Sequence, residues 1–350
     1  MIPQTEAIRQ VDAKNANADT CTETQIWQRA LANVVKTPQE LYTLLELSTD
    51  QLPAALAASQ DFALRVPRAF VQRMQKNNWD DPLLKQVLPL GRELEFEPGF
   101  SSDPLAEADH NPTPGLIHKY QGRVLLIVSG GCAINCRYCF RRHFAYQDNN
   151  PSRQQWQKTL DYVRQDDSIH EVILSGGDPL VASDALLSEL VQHIAAIDHV
   201  KTLRIHTRLP IVIPQRITQQ CIEWMQQPRL QTVMVVHCNH ANEIDAEVEQ
   251  ALAKLKSAGI TLLNQSVLLH GVNNTSSALS QLSQRLFSCG VLPYYLHLLD
   301  PVTGAAHFHV EEQHGQTLIQ SLQANLPGYL VPKFVKEEPG EPSKTAISSL

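Results

Sequence analysis

Long apolar runs are missing from this 350-residue chain. No stretch approaches the roughly 18 residues that a membrane-spanning helix needs, so no helical span is expected. The first residues, MIPQTEAIRQVDAKNANADT, also lack the apolar centre of a secretory signal. Basic charge is in deficit: 29 Lys and Arg stand against 36 Asp and Glu, a net charge of -7. That removes the electrostatic basis for nucleic-acid binding. The expected location is therefore the cytoplasm, whose reducing conditions keep thiols free. The seven cysteines (Cys21, Cys132, Cys136, Cys139, Cys221, Cys238, Cys289) are poor disulfide candidates on that ground.

What is present is an ordinary globular composition, 43% hydrophobic and 19% charged. The length suits one large domain or a large and a small one. Residues 1–110 read as an N-terminal extension of helices and irregular connectors. Thr37 and Glu40 in TPQELYTLLEL fit a capping box at the start of a short amphipathic helix. EPGFSSDPLAEADHNPTPG, Glu97 to Gly115, is too rich in Pro, Gly and Asp for regular structure.

From residue 111 to 327 the texture changes. Apolar, β-branched runs occur at RVLLIV (123–128), EVILSG (171–176), LRIHT (203–207), TVMVVH (232–237), TLLNQS (261–266) and LPYYLHL (292–298). Helical stretches such as WQKTLDYVRQ, DALLSELVQHIAAI and EIDAEVEQALAKLKSAG lie between them. Strands alternating with helices predict an α/β fold with a parallel sheet. Six such units are too few for an eight-fold barrel, so a partial (β/α)6 TIM-like barrel is expected, with a doubly wound sheet as the alternative. Residues 328–350 read as a C-terminal segment that closes the site. Both architectures place chemistry at the C-terminal ends of the strands, where the unusual residues fall.

SGGCAINCRYCFRRH follows the first of these strands and holds Cys132, Cys136 and Cys139 as C-x3-C-x2-C. Structural zinc and complete iron–sulfur ligation each want four protein ligands. Three cysteines on one loop instead leave one iron of a four-iron cluster open to bind a small molecule. The competing reading is a zinc ion completed by His143 or His237.

With Tyr138 as the aromatic in C-x3-C-x-aromatic-C, the loop resembles that of the radical S-adenosylmethionine superfamily. The resemblance implies a [4Fe-4S] cluster whose open iron is chelated by S-adenosyl-L-methionine. LSGGDPL, with Gly176, Gly177 and Asp178, ends the second expected strand. Glycines there allow close approach to the backbone, and the resemblance implies that this turn receives the methionine amino group. It further places HCNHANE, with His237 and His240, near the adenosyl group rather than at a second metal. Gln265 is a further candidate cofactor contact, and Cys238 reads as a packed thiol.

RVLLIVSGGCAINCRYCFRRHF, NQSVLLHGVNN, PYYLHLLDPVTGAAHF and GYLVPKFV…PG…K together resemble the lysine 2,3-aminomutase family over roughly residues 110–345. That family implies an isomerase that uses pyridoxal 5'-phosphate. Lys344 matches the lysine that forms its Schiff base, although on sequence alone a lysine so near a chain end is usually solvated. Arg123 and Lys119 match two arginines that hold the phosphate; lysine at 119 keeps the charge and loses the bidentate fork. Arg141 matches the arginine for the substrate carboxylate. Asp300 and Glu337 match two acidic residues for the distant ammonium of lysine, one of which is an aspartate elsewhere in the family. The short chain, ending soon after Lys344, is most like bacterial members supplying (R)-β-lysine for elongation factor P modification through a separate lysyl ligase. Flavodoxin or ferredoxin is the implied reductant. A related aminomutase with another amino-acid substrate, or an inert iron–sulfur module, are the competing functions, and the oligomeric state is left open.

Overall fold

The computed structural model describes residues 22–144 and 153–348. The β-branched runs form strands of a single sheet: β1 (Leu116–Tyr120), β2 (Arg123–Ser129), β3 (Glu171–Gly176), β4 (Thr202–Thr207), β5 (Gln231–His237), β6 (Thr261–Val267), β7 (Leu292–His297), β8 (Lys333–Lys336) and β9 (Thr345–Ala346). Their order across the sheet is their order along the chain. β2 to β8 run parallel, while β1 on β2 and β9 on β8 are antiparallel. A doubly wound sheet needs a point where strand order reverses; this one has none, and it is the partial barrel. The six expected strands are β2 to β7. β8 and β9, a further parallel strand and a two-residue antiparallel partner, lie in what the sequence offered only as a closing tail. They are too short for a periodic signal.

Helices cross between successive parallel strands and bury one stripe. In Ala246–Ser257 the buried residues are Val248, Ala251, Leu252 and Leu255, spaced as one face of a 3.6-residue turn. Asp245 caps its start by accepting from the Val248 N–H at 2.9 Å. At Pro38–Leu45, by contrast, only half of the expected box forms. Thr37 accepts from the Glu40 N–H, but the Glu40 carboxylate pairs with Arg68 instead of turning back.

Alternation along the strands sorts side chains between core and cavity. On β4, Leu203 and Ile205 are buried toward the helices, while Arg204 and His206 face the barrel interior. On β6, Leu262 and Asn264 are buried and Gln265 faces inward. A closed barrel fills its interior with apolar layers. This open one carries polar side chains there, which leaves room for ligands.

The N-terminal residues are packed into the barrel's own core: Trp27, Leu41, Leu83 and Leu84 belong to the same apolar cluster as Leu174, Ile205 and Val236. They also grip the cysteine loop. Asn135 donates from its backbone to Arg65 O (2.9 Å) and from its side chain to Ala63 O (2.9 Å). Arg137 is fully buried and forks onto Glu93 at 2.9 and 2.5 Å. Arg142 reaches the same carboxylate at 3.1 Å. The connector 97–115 is mostly irregular, as expected, apart from a short turn at Glu107–His110 and a bridge from Ser101 to Val302. Among the described residues no helix is long and apolar enough to cross a membrane.

Glu93 therefore pairs with two guanidinium groups in a dry setting, Asp61 pairing with the second, Arg142, as well. Glu93→Gln should lower unfolding stability by about 3–5 kcal/mol, because a buried cation left without its partner is costly. Urea titration followed by circular dichroism measures this; a loss below about 1 kcal/mol, the worth of a surface pair, would refute it.

Candidate active site

One cavity of about 520 Å³ opens inside the barrel, within the range of small-molecule sites. It is lined by Cys132, Cys136 and Cys139, Tyr138, Arg141, the Gly176–Asp178 turn, His237, Gln265, Lys119, Arg123, Asp300, Glu337 and Lys344, while His143 and His240 lie outside its lining. Residues scattered over more than 200 positions thus share one wall.

At the cysteine end, burial and the neighbouring thiols push Cys132 well up, and burial and Cys136 push Cys139 to about 12. Such thiols keep their protons until a metal's charge displaces them. Among the described residues no three His, Cys, Asp or Glu side chains are grouped to hold a single metal ion. This does not fit the zinc alternative, whose histidines are also engaged elsewhere. His143 is exposed with Nε2 3.3 Å from Thr303 O, and His237 Nε2 lies 3.0 Å from the Tyr138 hydroxyl. Three thiols on separate irons of one cluster do fit.

The glycine turn serves the loop as much as any ligand. A Cβ at Gly177 would sit 2.4 Å from Gly131 O and 3.1 Å from Cys132 Sγ. The Gly177 and Asp178 N–H groups donate to Ser129 O (2.7 Å) and Gly131 O (2.9 Å). The close approach inferred for a ligand is, at this residue, the approach of the cysteine loop. The Asp178 carboxylate is likewise spent inside the protein. Its oxygens accept from Thr207 Oγ1 (2.7 Å), Leu180 N (3.0 Å), Arg208 N (2.7 Å) and Leu209 N (3.2 Å). Asp178 lines the cavity, and its carboxylate ties the loop after β3 to the loop after β4.

Tyr138 is buried and stacks on His237 with ring centroids 5.7 Å apart. His237 ends β5 beside Gln265 of β6. Burial, aided by Arg208, lowers the His237 imidazole to about 3, so it is neutral. His240 caps the short helical turn Ala241–Glu243, its Nδ1 accepting from Asn242 N at 3.2 Å. Cys238 is buried, with its thiol directed at His240 O (3.4 Å).

At the opposite end, β8 and β9 decide the geometry. Their register pairs Val335 with Ala346 and Lys336 with Thr345. One further step sets Lys344 opposite Glu337, and the side chains meet with Nζ 2.5 Å from Oε2. Lys344 is thus placed by a hairpin rather than left in a loose end. The other Glu337 oxygen accepts from Lys119 Nζ at 2.9 Å. Burial would raise the Glu337 carboxyl, but Lys344 and Lys119 hold it well below the usual range. Asp300 behaves oppositely: burial and the Glu337 charge push it up to about 7.

Two inferred anion-binding groups are therefore already paired. Lys119 holds Glu337, and the Arg141 fork is filled by Glu107, with Nε 2.8 Å from Oε2 and Nη2 2.7 Å from Oε1. Glu107 was not anticipated, since it sits in the connector read as structureless. By contrast, Arg123 makes no ion pair among the described residues and lies over the Tyr120 ring, 4.7 Å from its centroid. His206 Nε2, also facing the cavity, is buried without a hydrogen-bond partner. A free guanidinium, an unpartnered imidazole nitrogen and a lysine amine in one cavity fit a phosphorylated aldehyde cofactor.

A family model described as "4Fe-4S single cluster domain" matches residues 121–210. The L-lysine 2,3-aminomutase of Escherichia coli (strain K12) is 52% identical over 322 residues, covering 92% of this chain and 94% of that protein. Its namesake in Haemophilus influenzae is 48% identical, covering 92% and 96%. That of Clostridium subterminale is 34% identical, covering 92% of this chain and 77% of that protein.

The Asp300 shift carries a sign. An ordinary aspartate titrates near ~3.9, so ionising Asp300 costs more in the folded protein than in the unfolded chain. Stability is lost as pH rises from about 4 toward 7 and stays lost above. Asp300→Asn should raise Tm at pH 8 and leave it unchanged near pH 4, in protein free of pyridoxal phosphate. Differential scanning calorimetry at the two pH values checks this, and equal differences at both would contradict it.

Proposed function

The chain belongs to the radical S-adenosylmethionine lysine 2,3-aminomutase family, an isomerase family, and from that premise we propose that it converts L-α-lysine to (R)-β-lysine by 2,3-amino migration. The observation that carries the reading is the single cavity with the cysteine loop at one end and the Lys344–Glu337–Asp300 group at the other. We infer that Cys132, Cys136 and Cys139 hold a [4Fe-4S] cluster, that S-adenosyl-L-methionine completes it, and that Lys344 and Arg123 hold pyridoxal 5'-phosphate. When bound, these groups supply an electron, a hydrogen-abstracting radical and a ring that delocalises the unpaired electron.

The protein's own part is placement and charge. Lys344 is the only amine opposite Glu337 on the β8–β9 hairpin. With lysine bound, Glu337 and Asp300 would together face its distant ammonium. The same ammonium draws Asp300 toward its ionised form, since an opposite charge lowers a carboxyl pKa. Lysine binding near neutral pH is therefore coupled to proton release. A glutamate side chain would bring a third negative charge to that end, which disfavours the competing substrate class.

A substrate carboxylate at Arg141 has to displace Glu107 from the fork. Glu107→Gln, a weaker competitor, is expected to lower KM for lysine several-fold with kcat retained. A raised KM would mean that Glu107 aims the arginine instead.

We further infer that residues 1–110 act as an extension bracing the cysteine loop, residues 111–327 as the barrel core and residues 328–350 as the segment that delivers the pyridoxal lysine. Identity of 52% to the Escherichia coli enzyme, against 34% to the Clostridium subterminale one, supports a role beside the former. On that reading the β-lysine serves elongation factor P through its lysyl ligase, in the cytoplasm, with flavodoxin or ferredoxin as electron donor.

Anaerobic turnover of reconstituted protein with L-lysine, S-adenosylmethionine, pyridoxal phosphate and dithionite tests the reaction, with products resolved by chiral chromatography. (R)-β-lysine is the expected product. Lys344→Ala should abolish it, together with the yellow absorbance that borohydride removes. Deoxyadenosine formed without β-lysine would refute lysine as substrate, and an iron-loaded protein forming neither would favour the inert module.

A further inference from the structure

Arg208 follows directly on β4, at the C-terminal end of a barrel strand, and its side chain has been given no ligand to hold. Its guanidinium is 6% exposed and is held from several sides. Nη2 donates to Gln86 Oε1 at 2.7 Å and to Glu243 Oε2 at 2.9 Å. Nη1 donates to the Tyr138 hydroxyl oxygen at 2.7 Å and to Cys136 Sγ at 2.7 Å. The backbone of Arg208 is fixed as well, through its N–H to Asp178 Oδ2. Glu243 is in turn locked by the Asn239 N–H (2.9 Å), the His240 N–H (3.1 Å) and Gln86 Nε2 (3.1 Å).

We propose that Arg208 is a positioning residue for the iron–sulfur cluster, donating a charged N–H···S hydrogen bond to Cys136 that raises the cluster's reduction potential. The proposal rests on the cluster reading above and adds to it the tuning residue. One-electron reduction increases the negative charge on the ligand sulfurs. A donor and a positive charge beside one of them stabilise the reduced form, the established way a protein raises such a potential. The counter-anion does not cancel this effect. Glu243 neutralises the guanidinium from the Nη2 side, whereas Nη1 is the nitrogen in contact with the sulfur. The same contacts keep Tyr138 and the cysteine loop in register with the loops after β4 and β5. Gln86, from the N-terminal extension, binds Arg208, Glu243 and Asn239 at once, so the extension reaches the cluster through this arginine too.

The test is an EPR-monitored redox titration of reconstituted, full-length Arg208→Gln, with dithionite as the one-electron reductant and without lysine or pyridoxal phosphate. Iron and sulfide are assayed alongside. Arg208→Gln is expected to hold iron near the parent level while its midpoint moves to more negative potential. A tenfold smaller reduced fraction at fixed potential corresponds to about 59 mV. Arg208→Lys, which keeps the charge but not the fork, should recover part of the shift, and it carries the measurement if the glutamine variant loses its iron. A fully loaded variant with the parent midpoint would overturn the proposal. Parent protein that assembles no four-iron cluster would overturn the cluster reading and the arginine's role with it, an outcome told apart by the parent iron assay.

Discussion

A partial barrel has a seam, and here the seam is crossed by a carboxylate. The sheet ends at β1 on one side and at β9 on the other, and among the described residues no backbone ladder joins them. Glu337 spans the gap, holding Lys119 of β1 with one oxygen and Lys344 of the β8–β9 hairpin with the other. Much of the site follows from that contact. It brings the last strands over the cavity, sets the amine of Lys344 inside it, and concentrates charge where burial is deep. Asp300 is pushed up to about 7, first by burial and then by the negative charge of Glu337 beside it.

The opposite end of the cavity is governed by constraint of another kind. The cysteine loop has little regular structure, and its shape is borrowed. Glu93 holds it through Arg137 and Arg142, Arg65 and Ala63 through Asn135, and the turn at Gly177 leaves no space for a side chain beneath it. The reactive end is thus rigid by surrounding contacts, and the substrate end by paired charges.

Much of this was legible beforehand, for identifiable reasons. The strands β2 to β7 announced themselves through β-branched runs between helical stretches, and cysteines spaced C-x3-C-x2-C have few uses. Lys344 and Glu337 were found only through resemblance, since a two-residue strand leaves no pattern in sequence. What stayed hidden was pairing. Nothing local marks Glu107 as the partner of Arg141, 34 residues on, or Glu93 as that of Arg137, 44 residues on. Arg208 carried a positional clue, because it directly follows an expected strand where barrels keep their functional residues. The same blindness to pairing hid the contacts that Asp178 and Gly177 make with neighbouring loops while lining the cavity.

The order of the chain adds a consequence for assembly. Many of the residues that brace the cysteine loop precede it, from Phe62 and Ala63 to Glu93, and others follow by Arg208, whereas the amine at the other end arrives with β9. During synthesis, where segments fold as they emerge, the iron-binding half acquires its supports early. The end that carries Lys344 is finished only when the last hairpin docks across the seam. The two ends share one cavity but not one moment of completion, and on the proposed assignment metal loading has a natural place ahead of the organic cofactor.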